Sequence, residues 1–491
     1  MKLSGILQGI ETEKITGDTG VEITGMTDDS RTLVPGGLFV AVNGEHADGH
    51  GFVADAVKKG AAAVLYERPE AAVPAQENPA VVFVRVADSR AALAAAAANF
   101  YGRPSETLQV IGITGTNGKT TTSYIIKAIL EAWGRKVGLI GTIQYMIGSE
   151  VYAASHTTPG PVKFQGLLRE MLQAGCSHVI TEVSSHALAQ RRVDGTLFRT
   201  VIFTNLTRDH LDFHDTMEGY YHAKERLFTE LLNGSGYAVI NADDDYGRRL
   251  QQCCKNLHTY GLSAGSDLMA TKIENLPEGL RFKVLHNGKE HAVVSPLIGL
   301  PNVYNILAAM GAALSSGMPM DLILEGIRGS GTVPGRFEQI EAGQPFLAVI
   351  DYAHTEDALE RLIYTARGLA SGKIITVFGC GGNRDRGKRP RMGAVATRLS
   401  DFVIITSDNP RSERPEEIIR EIEAGAVRKN YMTEPDRKEA IRRGVMMAGR
   451  GDVLLVAGKG HEDYQEAAGQ RYAFSDREVL QDMIRHSIIK R

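Results

Sequence analysis

A chain of 491 residues is long enough for about three domains with several buried cores. Its 55 basic and 58 acidic residues leave a formal charge of −3, which argues against a nucleic-acid binder and a polybasic membrane anchor. No apolar run approaches the ~20 residues of a membrane helix, and "MKLSGILQGIETEKITGD" meets charge too early for a signal peptide. Cys176, Cys253, Cys254 and Cys380 have neither metal-ligand spacing nor the density of a disulfide framework. The expectation is a soluble cytoplasmic protein, monomeric, with no nucleic-acid or membrane partner.

The first unit ends where the alanine-rich helix in "SRAALAAAAANFYGRPSETLQV" meets Gly102 and Pro104. The predicted break lies near residue 105. Apolar runs then alternate with helical patterns in "TLQVIGIT", "KVGLIGTI", "HVITEVS", "TVIFTN" and "YAVINA", which predicts a parallel sheet with crossover helices. Gly329, Gly331, Pro334 and Gly335 punctuate a second break in "RGSGTVPGRFEQI". The alternation resumes in "FLAVIDYA", "KIITVFG", "DFVIITSDN" and "DVLLVAGKG". No repeat of 20 to 50 residues is visible. The predicted organisation is a small mixed α/β domain over 1–105, a central parallel-sheet domain over 106–335, and a Rossmann-like α/β domain over 336–491.

The central unit opens on "IGITGTNGKTTT". A phosphate-binding loop ends in Gly-Lys-Ser/Thr, as Gly118-Lys119-Thr120 do, but Ile113 stands where its first glycine belongs. The buried-strand pattern before the loop and the amphipathic helix after it place the turn at a helix N-terminus, where free N–H groups hold phosphate. Gly115 and Gly118 allow close backbone approach, Lys119 supplies charge, and Thr120 supplies a hydroxyl for Mg²⁺. "HVITEVSSHAL" leaves Glu182 at a strand end, where Thr120 and Glu182 can share a magnesium ion. "TNLTRDHLDFH" offers Asp209, His210 and Asp212, each with an ordinary reading as a cap or turn residue. Lys224 in "YYHAKERLF" reads most simply as a solvated lysine.

In the last unit, "DYAH" (351–354), "GCGGNRDRGKR" (379–389), "SDNPR" (407–411) and "GKGHED" (458–463) leave apparent strand ends. Such loops converge on one edge of a doubly wound sheet. Arg384, Asp408, Arg411 and Glu462 give that edge both signs of charge, which suits a zwitterion.

Together "GTNGKTTT", "EVSSHAL", "NLTRDHLDFH", "GLPNVYNILAA", "PGRFE" and "DYAHTEDAL" resemble the Mur ligases of peptidoglycan synthesis, across essentially the whole chain. "TTPG" and "SDNPR" resemble the members that add the third amino acid as diaminopimelate. The family's phosphate loop is GTNGKT and lacks the first glycine. The resemblance implies an ATP-dependent ligase that phosphorylates a substrate carboxylate and lets an amine displace the phosphate, with Mg²⁺ offsetting the repulsion between phosphate and carboxylate. It implies that Gly115, Thr116, Asn117, Gly118, Lys119, Thr120 and Thr121 hold the triphosphate, and that Asn302 and Asn305 contact adenine. Arg336 and Asp351 would reach the nucleotide from the third domain. Thr120, Glu182 and His210 would handle magnesium, and Lys224 would carry CO₂ as a carbamate that helps place a second ion. Lys119, His210 and Lys224 are thus the implied catalytic set. Thr157, Thr158, Ser184, Gln190 and Arg192 resemble contacts to the UDP-muramoyl dipeptide. In the first domain, Ser30 and the Glu45-His46-Ala47 turn resemble the uridine site. Arg384, Asp408, Asn409, Pro410, Arg411, Gly458 and Glu462 would receive diaminopimelate, with Arg411 on its distal carboxylate. Glu356 departs from the family, which commonly has proline there. Ligation with lysine, a folylpolyglutamate synthase-like ligase and a nucleotide switch are the alternatives; a GTP switch would want an Asn-Lys-x-Asp motif, which is absent.

Overall fold

The computed structural model describes residues 1–44, 47–69 and 79–489. Three sheets divide them. The first has five strands in the order Lys14–Thr16, Val82–Arg85, Ala63–Tyr66, Leu38–Val40, Met26–Thr27, parallel except at the Lys14–Thr16 edge. The helix Ser89–Phe100 packs on it through Ala92, Leu93, Ala96 and Ala97. Asp88 caps this helix and Gly102 turns the chain out of it at φ 76°.

The central sheet has eleven strands. Its parallel core runs Leu257–Gly261, Leu232–Asn241, Phe198–Phe203, Gln109–Thr114, His178–Glu182, Val137–Ile140. Antiparallel strands extend both ends, Gln144–Ile147 and Glu150–Ala153 on one side and Gly279–His286 and Lys289–Ser295 on the other. The sheet is therefore mixed rather than purely parallel. Alternation along Gln109–Thr114 sends Val110 to one core while Ile111 and Ile113 meet the helix Lys119–Ala132 on the other face. That helix buries Thr122, Ile125, Ile126, Ile129 and Leu130, the spacing of a single stripe.

The third sheet runs Glu338–Ile340, Leu347–Asp351, Val453–Ala457, Ile374–Phe378, Phe402–Ile405, Tyr431–Thr433, antiparallel only at its first pair. Helices cover both faces, as a doubly wound sheet requires. The hairpin Tyr464–Ala467 and Gln470–Ala473 stands apart from all three sheets. Glu356 takes the first position of the helix Glu356–Arg367, capped by Thr355, and pairs with Arg391 at 3.3 Å. The departure from proline changes a helix start and leaves the cavity wall untouched.

Candidate active site

The strand Gln109–Thr114 runs on through Ile113, which is fully buried, so no glycine is needed there. The chain turns one residue after the strand instead. Gly115 has φ 143°, and a Cβ on it would fall 1.9 Å from Thr204 Oγ1. Gly118 has φ 91°, and a Cβ there would meet Asn305 Oδ1 at 2.4 Å. No side chain caps the helix that Gly118 starts, which leaves its first N–H groups for an anion. Thr204 and Asn205, at the end of the neighbouring strand, pin the loop. Thr116 N donates to Asn205 O at 2.8 Å, Asn117 N to Asn205 Oδ1 at 2.9 Å, and Thr204 Oγ1 to Asn117 O at 2.6 Å. Both lie in "TNLTRDHLDFH", but sequence reasoning missed them because neither bears charge.

Two lysines converge on this turn. Lys119 Nζ donates to Gly115 O and Thr116 O, each at 2.8 Å. Lys224 Nζ donates to the same Gly115 O at 3.0 Å and lies 4.5 Å from the Tyr220 ring centroid. Lys224 is 1 % exposed, which overturns the solvated reading. Its helix Met217–Thr229 buries Tyr220, Tyr221, Lys224, Leu227 and Phe228, so helical periodicity already placed this lysine on the apolar stripe. Burial, reinforced by Lys119, pushes its ammonium well below the ordinary lysine range.

Glu182 ends its strand fully buried. Its Oε2 accepts from Thr120 Oγ1 and Thr142 Oγ1, both at 2.9 Å, and its Oε1 from Thr142 N at 2.9 Å. Thr142 Oγ1 is 3.0 Å from Thr157 Oγ1, while Thr158 Oγ1 donates to Glu182 O at 2.7 Å and accepts from Ser184 N at 3.1 Å. Arg192 donates to Thr158 O at 2.9 Å and to Gln190 Oε1 at 2.8 Å. The five residues expected at the muramoyl dipeptide therefore form one connected network. Asp28 of the first unit lies within electrostatic reach of Arg192; burial raises its carboxyl while Arg192 partly lowers it. Ser30 is buried two residues away, its carbonyl accepting from Lys59 Nζ at 2.9 Å, and Ala47 O accepts from Gly44 N at 3.0 Å. Glu45 and His46 lie outside the described residues.

His210 adopts φ 54° as it enters the short helix Leu211–His214. Its ring centroid is 4.8 Å from that of His186 and its Nε2 is 3.4 Å from Asp209 Oδ2. Burial pushes this imidazole below the ordinary histidine range, against the opposing pull of Asp209. Asp209 is held below the ordinary carboxylate range; burial alone would raise it, but His210 beside it and His354 and Lys388 of the third unit lower it. Among the described residues no three His, Cys, Asp or Glu side chains gather as a ready metal cage.

The third unit meets the phosphate loop directly. Arg336 Nη2 is 3.2 Å from Thr120 Oγ1, and its guanidinium lies 4.5 Å from the Tyr352 ring centroid. Asp351 accepts from Phe337 N at 2.7 Å and Ala353 N at 2.8 Å, which fixes the Arg336 turn; burial raises its carboxyl. Asn117 Nδ2 donates to Asp357 Oδ2 at 3.1 Å, a contact across units that sequence did not suggest. Asn305 Nδ2 donates to Asn302 Oδ1 at 2.9 Å beneath the loop.

All of this opens into one cavity of about 810 Å³. Thr116 to Thr121, Asn302, Asn305, Arg336 and Asp351 line it with Glu182 and His210. Arg384, Asp408, Asn409, Arg411, Gly458 and Glu462 line its far end. Asn409 Nδ2 donates to Glu462 Oε2 at 2.8 Å, and the fully buried Lys459 donates to Asn409 Oδ1 and Glu462 Oε2, each at 2.9 Å. Lys459 was missed because its neighbours in "GKGHED" read as an exposed turn. Pro410 does not line the cavity, and its carbonyl accepts from Glu413 N at 3.0 Å. Gly115, Gln190 and Lys224, and Ser30 and Ala47 of the first unit, are not among the residues that line the cavity.

Three family models match the chain: the Mur ligase middle domain over residues 113–313, the Mur ligase glutamate ligase domain over 335–460, and the Mur ligase family catalytic domain over 22–101. The chain is 46 % identical over 472 residues to the UDP-N-acetylmuramoyl-L-alanyl-D-glutamate–2,6-diaminopimelate ligase of Solibacter usitatus, covering 94 % of each chain. It is 44 % identical to the protein of the same name in Bacteroides fragilis, covering 98 % of this chain and 99 % of that one. A solved structure of a ligase of that name superposes with a TM-score of 0.71 at 31 % identity, covering 99 % of both chains.

Proposed function

The chain belongs to the Mur ligase family, and from that premise we propose that it is the ATP-dependent ligase that joins meso-2,6-diaminopimelate to the D-glutamate of UDP-N-acetylmuramoyl-L-alanyl-D-glutamate, in cytoplasmic peptidoglycan precursor synthesis. The observation that carries this is the shared cavity, with a phosphate loop at one end and a mixed-charge crevice at the other. Relatives bearing that name match at full length, which favours it over the folylpolyglutamate and switch alternatives. The units divide at 105/106 and 335/336, each interval holding one large sheet, and the protein acts as a monomer.

A carboxylate is a poor electrophile, so ATP first converts the glutamate carboxylate to an acyl phosphate. The amine of diaminopimelate then attacks the carbonyl carbon, phosphate leaves, and the amine gives up a proton. Lys119 and the free N–H groups of its helix hold the triphosphate, with Thr116, Asn117 and Thr121 shaping the loop. Asn302 and Asn305 face the adenine, and Arg336 and Asp351 close over the nucleotide. The Thr120 hydroxyl and the Glu182 carboxylate, 2.9 Å apart, are hard oxygen donors that would hold Mg²⁺. When bound, the ion would supply charge neutralisation between phosphate and carboxylate. His210 and Lys224, as a carbamate, would supply donors for a second ion. A neutral amine is the form that reacts with CO₂, and burial shifts Lys224 toward that form. The network of Thr157, Thr158, Ser184, Gln190 and Arg192 holds the dipeptide, and Ser30 with the Glu45-His46-Ala47 turn holds the uridine. Arg411 takes the distal carboxylate of diaminopimelate, Arg384 supports it, and Asp408 and Glu462 face its ammonium groups.

Kinetics of Arg411→Ala test the amino-acid assignment. Diaminopimelate use should weaken by about 2–5 kcal/mol, the cost of stripping one partner from a buried charge pair, with ATP and dipeptide binding little changed. Lysine should gain little, since removing a cation builds no pocket for a shorter end. Unaltered diaminopimelate kinetics would overturn the assignment.

A further inference from the structure

The hairpin Tyr464–Ala467 and Gln470–Ala473 lies along the Ser407–Arg411 loop. Gln465 Nε2 donates to Ser407 Oγ at 3.0 Å and to Asp408 O at 2.7 Å. Glu466 N donates to Asn409 Oδ1 at 3.0 Å. Arg411 N donates to Glu466 O at 2.9 Å, and Ala468 N to Arg411 O at 2.6 Å. Of the five loop residues only Pro410 lacks such a tie. Arg411 itself sits at φ 53°, a left-handed conformation that a residue with a Cβ holds only when its surroundings impose it. The two main-chain bonds from the hairpin do so.

The side chain is held as firmly. Arg411 Nη1 donates to Gly382 O at 2.7 Å, and a Cβ on Gly381 would come within 2.9 Å of that nitrogen, so the glycine leaves room for the guanidinium. On the opposite edge, Arg411 Nε is 3.5 Å from Glu466 Oε2. Nη2 has no acceptor among the described residues, and Arg411 lies on the cavity wall. A guanidinium is planar with fixed donor directions, so acceptors placed on Nε and Nη1 decide which edge is left for a ligand.

We propose that Glu466 is a specificity-determining positioning residue, which holds the Nε edge of Arg411 so that the Nη2 edge meets the distal carboxylate of the incoming amino acid. The proposal rests on the diaminopimelate reading of Arg411 given above. Without Glu466 the guanidinium keeps its charge but loses one of the two contacts that orient it. The effect falls on the affinity for a doubly carboxylated amino acid and leaves the phosphate chemistry alone. The main-chain N and O of Glu466 bind the loop whatever its side chain, so the hairpin survives truncation.

The test uses the full chain with Glu466→Ala and Glu466→Gln, measuring initial rates against meso-diaminopimelate, lysine and ATP in separate series. Glu466→Ala should raise KM for diaminopimelate about fivefold, as for a lost ion pair near the surface, with kcat moved far less and KM for ATP unchanged. Glu466→Gln keeps an acceptor oxygen and should stay within about threefold of the parent. An unmoved diaminopimelate KM in Glu466→Ala, or a parallel rise in KM for ATP, would overturn the assignment. A parent enzyme that prefers lysine would instead remove the functional reading, and this proposal with it.

Discussion

Lys224 is a cation placed where a cation is costly. It shares the Gly115 carbonyl with Lys119, and burial with that like charge drives it toward the neutral amine. On the proposed reading CO₂ would add to that amine and release a proton, leaving the helix with a negative charge where a lysine ordinarily supplies a cation. Lys224→Ala should therefore be nearly inactive and partly rescued by added formate or acetate, small acids that imitate the missing carboxylate. Lys224→Arg should stay inactive, because a guanidinium neither deprotonates nor forms the carbamate. Full activity in Lys224→Arg would show that no anion is needed there. This residue also marks where reading the sequence stopped short. The motif identified it through family resemblance, while its chemical type argued for solvent; only its place on the stripe Tyr220, Lys224, Leu227 shows the burial.

At the scale of elements, the phosphate loop works because strand, turn and helix are separately determined. A β-branched run makes the strand, and a 3.6-residue apolar stripe makes the helix. Within the turn, glycine holds the two positions where the backbone bends against a neighbour, Gly115 and Gly118. Gly118→Ala would force a Cβ onto a residue at φ 91° and within 2.4 Å of Asn305 Oδ1. The strain should cost about 1–2 kcal/mol from conformation alone. Displacing Asn305 should also weaken an ATP analogue at least about tenfold, since the helix N-terminus moves with it. Calorimetric titration of the variant checks this, and unchanged affinity would show that the turn tolerates a side chain. The strand–turn–helix unit was legible because its signals are local. Thr204 and Asn205, which pin the loop from the next strand, were not, because that contact depends on sheet order. The antiparallel strands at both ends of the central sheet escaped for the same reason: Glu150–Ala153 is exposed throughout and carries no burial pattern to read.

Across the whole molecule, contacts between units gather the site. Arg336 reaches Thr120, Asn117 reaches Asp357, and His354 Nε2 lies 3.9 Å from Asp209 Oδ2. Resemblance supplied the list of residues, but their convergence depends on the central and third units meeting. The same burial makes folding sensitive to acid. Burial, aided by Arg135, lowers His178 to about 4, and burial with Arg336 and Lys459 lowers His461 to about 3. Between those values and the unfolded value of about 6.5, the unfolded chain binds protons that the folded chain refuses. Stability should fall as pH drops from about 6.5 toward 4, with proton uptake on unfolding, and should lose this dependence above that window. Thermal unfolding in buffers of different ionisation heat measures both, and no uptake near pH 5 would contradict the assignment. The central claim, a ligase for one amino acid, is tested most directly by phosphate release with ATP, Mg²⁺ and the UDP-muramoyl dipeptide against a panel of amino acids. The account predicts release that requires the dipeptide and is strong with meso-diaminopimelate and weak with lysine. Equal or greater release with lysine, or turnover of ATP by the protein alone, would contradict it.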